Sequence, residues 1–454
     1  MVRKIIMFVT LLMAAAVTAL GATRTVGPSD CSSNAVNNAI AAASDGDIVE
    51  LTCTGAVTWL STVSIPNTKG ITLRVSGGTN TPKTSGNFPL TIQSSADPII
   101  NVNCENNKSL SRVSGFKFRN TIASNRGAIY VRGRGTGTTG IGAYRIDNNY
   151  FDSIQLPQSD LSGTVTLDSS TGVLTGLVDN NTFHDCSYTD GYTIAVVESW
   201  HSGDWSYAGM NAWARRFSFG DGDFAFIEDN LIENVNQYTR HMIMGIQGSK
   251  YVVRYNIFDI NTKSSVGNYS QVIDAHGDCI CSSIGAGARG GEIYNNIFRG
   301  TQNRHNKLLL RGGTWLVYNN VFQTDSVSVN GQIALREYRA YSGTSSQCTA
   351  TCPAQNPWYQ SVTDNPLRYP LSQQIRGSYF WNNIYNGSEQ LPIVDSDGYQ
   401  RIYIQSNRDF YSVSNLADAL TKGLNAGYGY AAYPYPHPLQ YSTIQPPKNL
   451  RVDP

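Results

Sequence analysis

The sequence predicts an all-β solenoid, a parallel β-helix with a short capping helix at each end. Three features carry that prediction. First, an Asn-Asn-aromatic segment recurs down the 454-residue chain. It reads NNYF from Asn148, NNTF from Asn180, YNIF from Tyr255, NNIF from Asn295, NNVF from Asn319 and NNIY from Asn382, with DNLI from Asp229 as a degenerate copy. Second, the spacing is short: Asn230 and Asn256 are 26 residues apart, Asn296 and Asn320 are 24 apart. At such periods each unit buries its apolar face only against its neighbours. Third, the intervening segments are rich in Val, Ile, Phe and Tyr and carry almost no helical periodicity. Stacked on equivalent turns, the repeated Asn is expected to hydrogen-bond to the Asn above and below. Asn also tolerates the left-handed backbone of a tight turn. The aromatic two residues later, Phe298 or Phe322 for example, is expected to point inward and stack on its equivalents.

The chain begins with the pattern of a secretory signal peptide over residues 1–22. Arg3 and Lys4 precede the apolar run from Ile5 to Ala16, and Ala19-Leu20-Gly21 forms a small-x-small cleavage site. No later segment has ~20 uninterrupted apolar residues, so no membrane span is expected. Residues 23–100 then read as the N-terminal cap and first coils. Ser32 and Ser33 can cap a helix with Val36, Ala39, Ile40 and Ala43 on one face, stopped by Asp45-Gly46-Asp47. Ile48–Leu51 and Ile71–Arg74 read as strands. Residues 101–412 hold the coils. Residues 413–454 read as a C-terminal cap and Pro-rich tail. There Asn415 caps a helix from Leu416 to Lys422, Gly423 stops it, and the chain runs through YPYPHPL to a linker-like QPPKNLRVDP.

The net charge is +1 and only 15% of residues are charged, which gives no global electrostatic case for nucleic acid or an anionic membrane. The expected form is a secreted or cell-surface monomer. Eight cysteines in an exported chain imply disulfides. Cys348 with Cys352 encloses a short loop, and Cys31 with Cys53 would tie the cap to the first strand. Cys279 and Cys281 are too close for an ordinary bridge. They pair elsewhere, stay free, or join His276 in a zinc site for which no second ligand pair is evident.

A helix followed by DGDIVEL from Asp45, then Trp59 in a turn and GITLRV from Gly70, resembles the start of the pectin-lyase-like, right-handed parallel β-helix family. The resemblance spans roughly residues 30 to 410. It implies a right-handed solenoid, secretion, and action on or binding to a polysaccharide, often an acidic one. It does not settle the reaction. A galacturonase-type site would carry paired aspartates with Gly-His-Gly, whereas this chain has Ala275-His276-Gly277. A calcium-dependent pectate-lyase type would carry adjacent Asp and His, whereas Ala275 separates Asp274 from His276.

Candidate chemistry comes from aligning coils on the Asn turn. Gly222, Gly248 and Gly312 each stand eight residues before their Asn, and Gly277 matches them with an insertion. Alternation then places Met242, Met244, Ile246, Ile273, Ala275, Leu308, Leu310, Ile333 and Leu335 in the core. Asp221, Gln247, His276, Arg311 and Arg336 form an outward column, which Arg132 extends. A second outward column holds Gly245, Asp274, Leu309 and Ala334. A third holds Ile243, Val272, Lys307 and Gln332. With rungs ~4.8 Å apart, Asp221 to Arg336 would line ~19 Å of a groove. In that groove, β-elimination from a uronate needs a neutralised carboxylate, a base for the C5 proton and an acid for the leaving oxygen. His276, kept neutral beside Arg311, is the expected base, with Lys307, Arg311 and Arg336 neutralising or assisting. Gly245 and Ala334 would leave room for a sugar ring. The same columns equally describe a satisfied polar face; a glycoside hydrolase is the other enzyme reading, and a non-catalytic carbohydrate-binding, adhesive or structural envelope protein is the alternative.

The insertion from Asp185 to Arg216 carries Trp200, His201, Trp205, Tyr207 and Trp213, either for stacking on sugars or for packing on the solenoid wall. Arg304 and His305 belong either to a site or to a turn. The cofactor is open. Calcium is a candidate at Asp221-Gly222-Asp223 or at Asp395-Ser396-Asp397-Gly398, where tight turns are the competing reading.

Overall fold

The structure is a computed structural model. It describes residues 21–80, 86–105, 109–119, 126–133, 143–156, 162–169, 174–188, 192–199, 210–214, 217–234, 241–260, 271–277, 287–300, 307–324, 331–336, 375–394, 404–426 and 428–441.

Each coil lays one strand into each of three long sheets, then climbs one rung. Sheet A has 12 strands, sheet B 11 and sheet C 10. One full turn runs from Lys250–Arg254 in sheet A to Ile257–Ile260 in sheet B and Gln271–Ala275 in sheet C, and returns to sheet A at Gly290–Tyr294. Pairing in the three sheets is parallel except where Ile384–Tyr385 meets Ser388–Glu389. The chain is a right-handed parallel β-helix, as expected.

The Asn-Asn dipeptide divides two jobs between its residues. The second Asn forms a buried ladder in which each side-chain Oδ1 accepts from the backbone N–H and the Nδ2 of the rung before. Asn149 donates to Asn181, Asn181 to Asn230, Asn230 to Asn256, Asn256 to Asn296, Asn296 to Asn320 and Asn320 to Asn383, with backbone donors at 3.0–3.3 Å. The first residue takes the left-handed conformation, with φ of 48° to 58° at Asn148, Asn180, Asp229, Tyr255, Asn295, Asn319 and Asn382. Asp and Tyr therefore replace Asn at the first position and never at the second. Tyr255 carries the steric penalty of a bulky left-handed residue, and its ring stacks on Tyr435 at 3.6 Å.

Two residues on, the aromatics pile up inside sheet B. Phe118, Phe151 and Phe183 stack at 5.2 and 4.7 Å, and Phe258, Phe298 and Phe322 at 4.9 Å per step. Ile232 interrupts the pile where DNLI replaces NNxF.

One strand differs from the sequence alignment. Pairing places Ile243 against Ile273 and Gly245 against Ala275, so Ile243 and Gly245 point inward. Met244 and Ile246 point out, into a satellite cluster with Tyr192, Ala195 and Val197. Counting back from Gly248 failed because the turn holds one extra residue. Gln247 and Gly248 are both left-handed, at φ 56° and 83°, and Gln247 is buried in that turn. A one-residue slip reverses every face. Gly245 thus leaves no room for a sugar: a Cβ there would lie 2.1 Å from the Tyr251 ring in the core. Trp59 ends a strand rather than forming a turn, and its indole donates to the Cys31 carbonyl at 2.8 Å.

The N-terminal cap matches expectation. Helix α1 (Ser33–Ala42) is capped by Ser32 and buries Val36 and Ile40. Cys31 and Cys53 are disulfide-bonded with Cα atoms 6.2 Å apart. Cys104 and Cys186 are buried thiols. Cys279, Cys281, Cys348 and Cys352, the signal peptide to residue 20 and the final linker-like residues lie outside the described residues. Helix α2 (Met210–Ala214) belongs to the aromatic insertion. Helix α3 (Leu416–Thr421), capped by Asn415, follows Phe410–Ser412, the terminal strand of sheet A. It packs on the outer face of sheet A, where Tyr379 donates to the Lys422 carbonyl.

The two jobs are separable. Asn296→Ala removes two acceptor contacts to Asn256 and donors to Val253 and Tyr294, so it should lower unfolding free energy by ~3 kcal/mol or more. Asn295→Gly, at the left-handed position next to it, should stay within ~1 kcal/mol. Denaturant unfolding of the two variants checks this, and equal losses would refute the division.

Candidate functional site

The three outer faces meet different fates, and this selects the site. On sheet A, the segment 410–441 folds back over Phe226, Tyr294, Tyr318 and Trp381. Beneath it Arg254, 0% exposed, is paired to Glu228 at 2.6 Å and donates to the carbonyls of Tyr433 and Pro434 at 2.6 and 2.8 Å. Arg145 is held by Asp179 and by the carbonyls of Leu439 and Gln440. On sheet B, the outward column is a ladder of ion pairs: Arg119 with Asp152 at 3.3 Å, His184 with Glu233 at 2.8 Å and Arg299 with Asp259 at 2.6 Å. The hydrogen bond His184 donates to Glu233, then the charges of Asp185 and Glu233, raise the His184 pKa against its burial. That face satisfies itself.

Sheet C is different. Its outward column runs Arg132, Asp168, Val197 and Ile246, and continues through His276, Arg311 and Arg336. Tyr130 donates to Asp168 near one end. The middle rungs are apolar. At the other end the charges concentrate.

Lys307 and Arg311 flank the strand Leu308–Leu310, whose Leu308 and Leu310 enter the core. Lys307 and Arg311 therefore share the outer face, four residues apart. Lys307 is 3% exposed, and burial pushes its pKa down from 10.5 to about 8. Asp274 is fully buried on the adjacent rung and grips Arg311 through Nε at 2.9 Å and Nη2 at 2.6 Å. The same carboxylate lies 3.5 Å from Nε2 of His241. His241 is itself buried, stacked on Tyr192 at 5.6 Å. Gln332 precedes the next strand and accepts from Leu308 through its carbonyl, which sets it beside Lys307. His276, Arg311 and Arg336 follow on three successive rungs, each half-buried.

The structure thus brings together His276, Lys307, Arg311, Arg336 and Asp274. It does not bring Gln247, whose turn is described above. It does not bring Asp221, which is exposed and leads into Ala225–Glu228 of sheet A. The rung assigned to Asp221 on sheet C is filled by Tyr192–Val197. Trp213 lies in α2 with its ring 5.4 Å from the Arg289 guanidinium. Trp200, Trp205, His201, Arg304 and His305 lie outside the described residues. His241 went unnoticed in the sequence because the slipped register hid its approach to Asp274.

Calcium finds little support at Asp221–Asp223, because Asp223 is paired to Lys250 at 2.9 Å. No group of three or more His, Cys, Asp or Glu among the described residues is placed to hold a metal ion. Asp395 to Gly398 lie outside them. Among the described residues no helix is long and apolar enough to cross a membrane.

No family model matches the chain, and no curated protein matches it. Among solved structures it is similar to the PL6-family alginate lyase AlyGC, at 13% identity and TM-score 0.32 over 87% of this chain and 53% of that one. It is also similar to a PL6-family polysaccharide lyase from Pseudopedobacter saltans, at 14% identity and TM-score 0.27 over 83% and 93%. The chain spans about half the length of the alginate lyase. Likenesses this low say nothing about reaction or substrate.

Asp274 is the electrostatic anchor of this end of the groove. Asp274→Ala leaves the Arg311 guanidinium without the carboxylate that grips it, and removing one partner of a buried pair typically costs about 3–5 kcal/mol. A drop of that size in denaturant unfolding is expected. A loss below about 1 kcal/mol would mean that solvent, not Asp274, balances Arg311.

Proposed function

We propose that this chain is an exported polysaccharide lyase that cleaves a uronate-containing glycan by β-elimination on the outer face of sheet C. The observation that carries the reading is a desolvated lysine on the same face as two arginines. Arg311 and Arg336 bind the uronate carboxylate, Arg311 with its plane fixed by Asp274. Their charge stabilises the enolate-like state formed as the C5 proton leaves. Neutral Lys307 takes that proton at Nζ. The C5–H electron pair forms the C4=C5 double bond, and the C4–O bond breaks towards the leaving oxygen, which takes a proton back from the Lys307 ammonium as it departs. The products are an unsaturated uronate and a new chain end.

The base assignment moves from His276 to Lys307 because Lys307 is buried enough to be substantially neutral near pH 8. His276 stands opposite Arg311 on the neighbouring rung and is the competing base. Export is supported by the Cys31–Cys53 bond, since disulfides persist in oxidising compartments.

The test is a panel of uronic-acid polymers with detection of unsaturated products. Turnover should rise through pH 8 and level off above it, following the neutral amine. A limb near pH ~6.5, the ordinary histidine range, that persists in Lys307→Met would transfer the role to His276. Lys307→Met should abolish turnover and also stabilise the fold. The depressed pKa means that the penalty of a buried charge is absent above pH 10.5 and complete below about 8. The gain is therefore on the order of 3 kcal/mol at pH 7 and disappears as pH approaches 10.5. A folded protein that binds a polyuronate without releasing unsaturated product would favour the non-catalytic binding reading.

A further inference from the structure

We propose that Arg289, Arg376 and Trp213 form a second carboxylate subsite, which takes a neighbouring uronate unit of the same polymer beyond the end of the sheet C groove. The subsite rests on the polyuronate reading above. Its position follows from the backbone. Ala288 donates to the His276 carbonyl at 2.8 Å, which sets Arg289 just past His276. Arg376 donates to the Gly313 carbonyl at 3.2 Å, two residues past Arg311. Both arginines thus continue the line of His276, Arg311 and Arg336 around the edge towards sheet A.

Arg289 is a half-buried cation. Its Nε donates to the Trp213 carbonyl at 3.1 Å and its Nη1 to the Thr314 hydroxyl at 3.4 Å. The guanidinium sits 5.4 Å from the Trp213 ring and 4.7 Å from the Phe217 ring. Among the described residues no carboxylate pairs with it, and the nearby charge that acts on it is the like charge of Arg376. Burial, then Arg376, pull its pKa down to about 10. Of the five N–H donors of a guanidinium, two are used by described residues. Two like charges side by side, with planar donors that no described residue takes, match a carboxylate bound bidentately. The half-exposed Trp213 beside them offers a face for the sugar ring.

The test is calorimetric titration with hexaguluronate and hexagalacturonate, in the Lys307→Met background so that the oligomers are not consumed. Arg376→Gln, at an exposed position, and Arg289→Gln should each weaken the better hexamer at least tenfold. Arg299→Gln, on the self-paired face of sheet B, should not weaken it. Thermal melts establish that each variant is folded, and Arg376→Gln serves if Arg289→Gln is not. Unchanged affinity in folded Arg376→Gln overturns the subsite, as does failure of the Lys307→Met protein to bind either hexamer. Hexamer binding that depends on Arg289 and Arg376, together with absence of unsaturated product from the wild type, keeps the subsite and sinks the lyase reading.

Discussion

The buried Asn ladder fixes everything that follows. Each rung's amide accepts from the backbone and the side chain of the rung before, and donates back to carbonyls of its neighbours. In a low-dielectric interior an unmatched amide is expensive, so slipping one coil by a residue breaks several bonds at once. The ladder thereby sets the phase of sheets A and B on either side of the turn. The stacked Phe258, Phe298 and Phe322 inherit that phase. Sheet C lies farther along each coil, and the Gln247-Gly248 turn shows how it escapes strict phasing.

Once the phase is set, function depends on what covers each outer face. A parallel β-helix exposes three, and this chain closes two. Sheet A is sealed by its own C-terminal segment, whose carbonyls complete the donors of Arg145 and Arg254. Sheet B cancels its charges pairwise along the column. The apolar middle of sheet C gathers Met244, Ile246, Ala195 and Val197 into a cluster. That leaves the rungs from His276 to Arg336 as the place where positive charge concentrates on a strand face.

Much of this was legible in the chain. Repetition is the most redundant signal a sequence carries, and the Asn turns, the inward Phe pile, the cap of α1 and the Cys31–Cys53 pair could be read from it. Lys307 and Arg311 could be put on one face by strand alternation alone, and Arg336 beside Arg311 by the match of QIALRE to KLLLRG. What escaped depended on single events. A left-handed Gln has no compositional mark, so Met244 and Ile246 were read as core and His241 was missed. The docking of residues 433–441 on Arg254 and Arg145 joins groups 179 to 295 residues apart, and nothing local announces it. Asp221-Gly222 copied the glycine spacing of its neighbours but stands on the approach to sheet A.

The treatment of buried cations gives the strongest internal contrast. Where this fold buries a cation for structure, it supplies an acid: Asp179 for Arg145, Glu228 for Arg254, Asp223 for Lys250. Such pairing is what a buried charge requires if stability is the only demand. At the end of sheet C, burial acts on the cations more strongly. Burial pushes the Lys307 pKa down to about 8, and Arg289 rests between aromatic rings beside another arginine. In both, burial works against the charged form. Lys307 precedes the sheet C strand that Arg311 follows, and Arg289 stands just past His276 on the way to sheet A. Buried or half-buried cations gathered at one end of one strand face are the kind of surface that receives an anion.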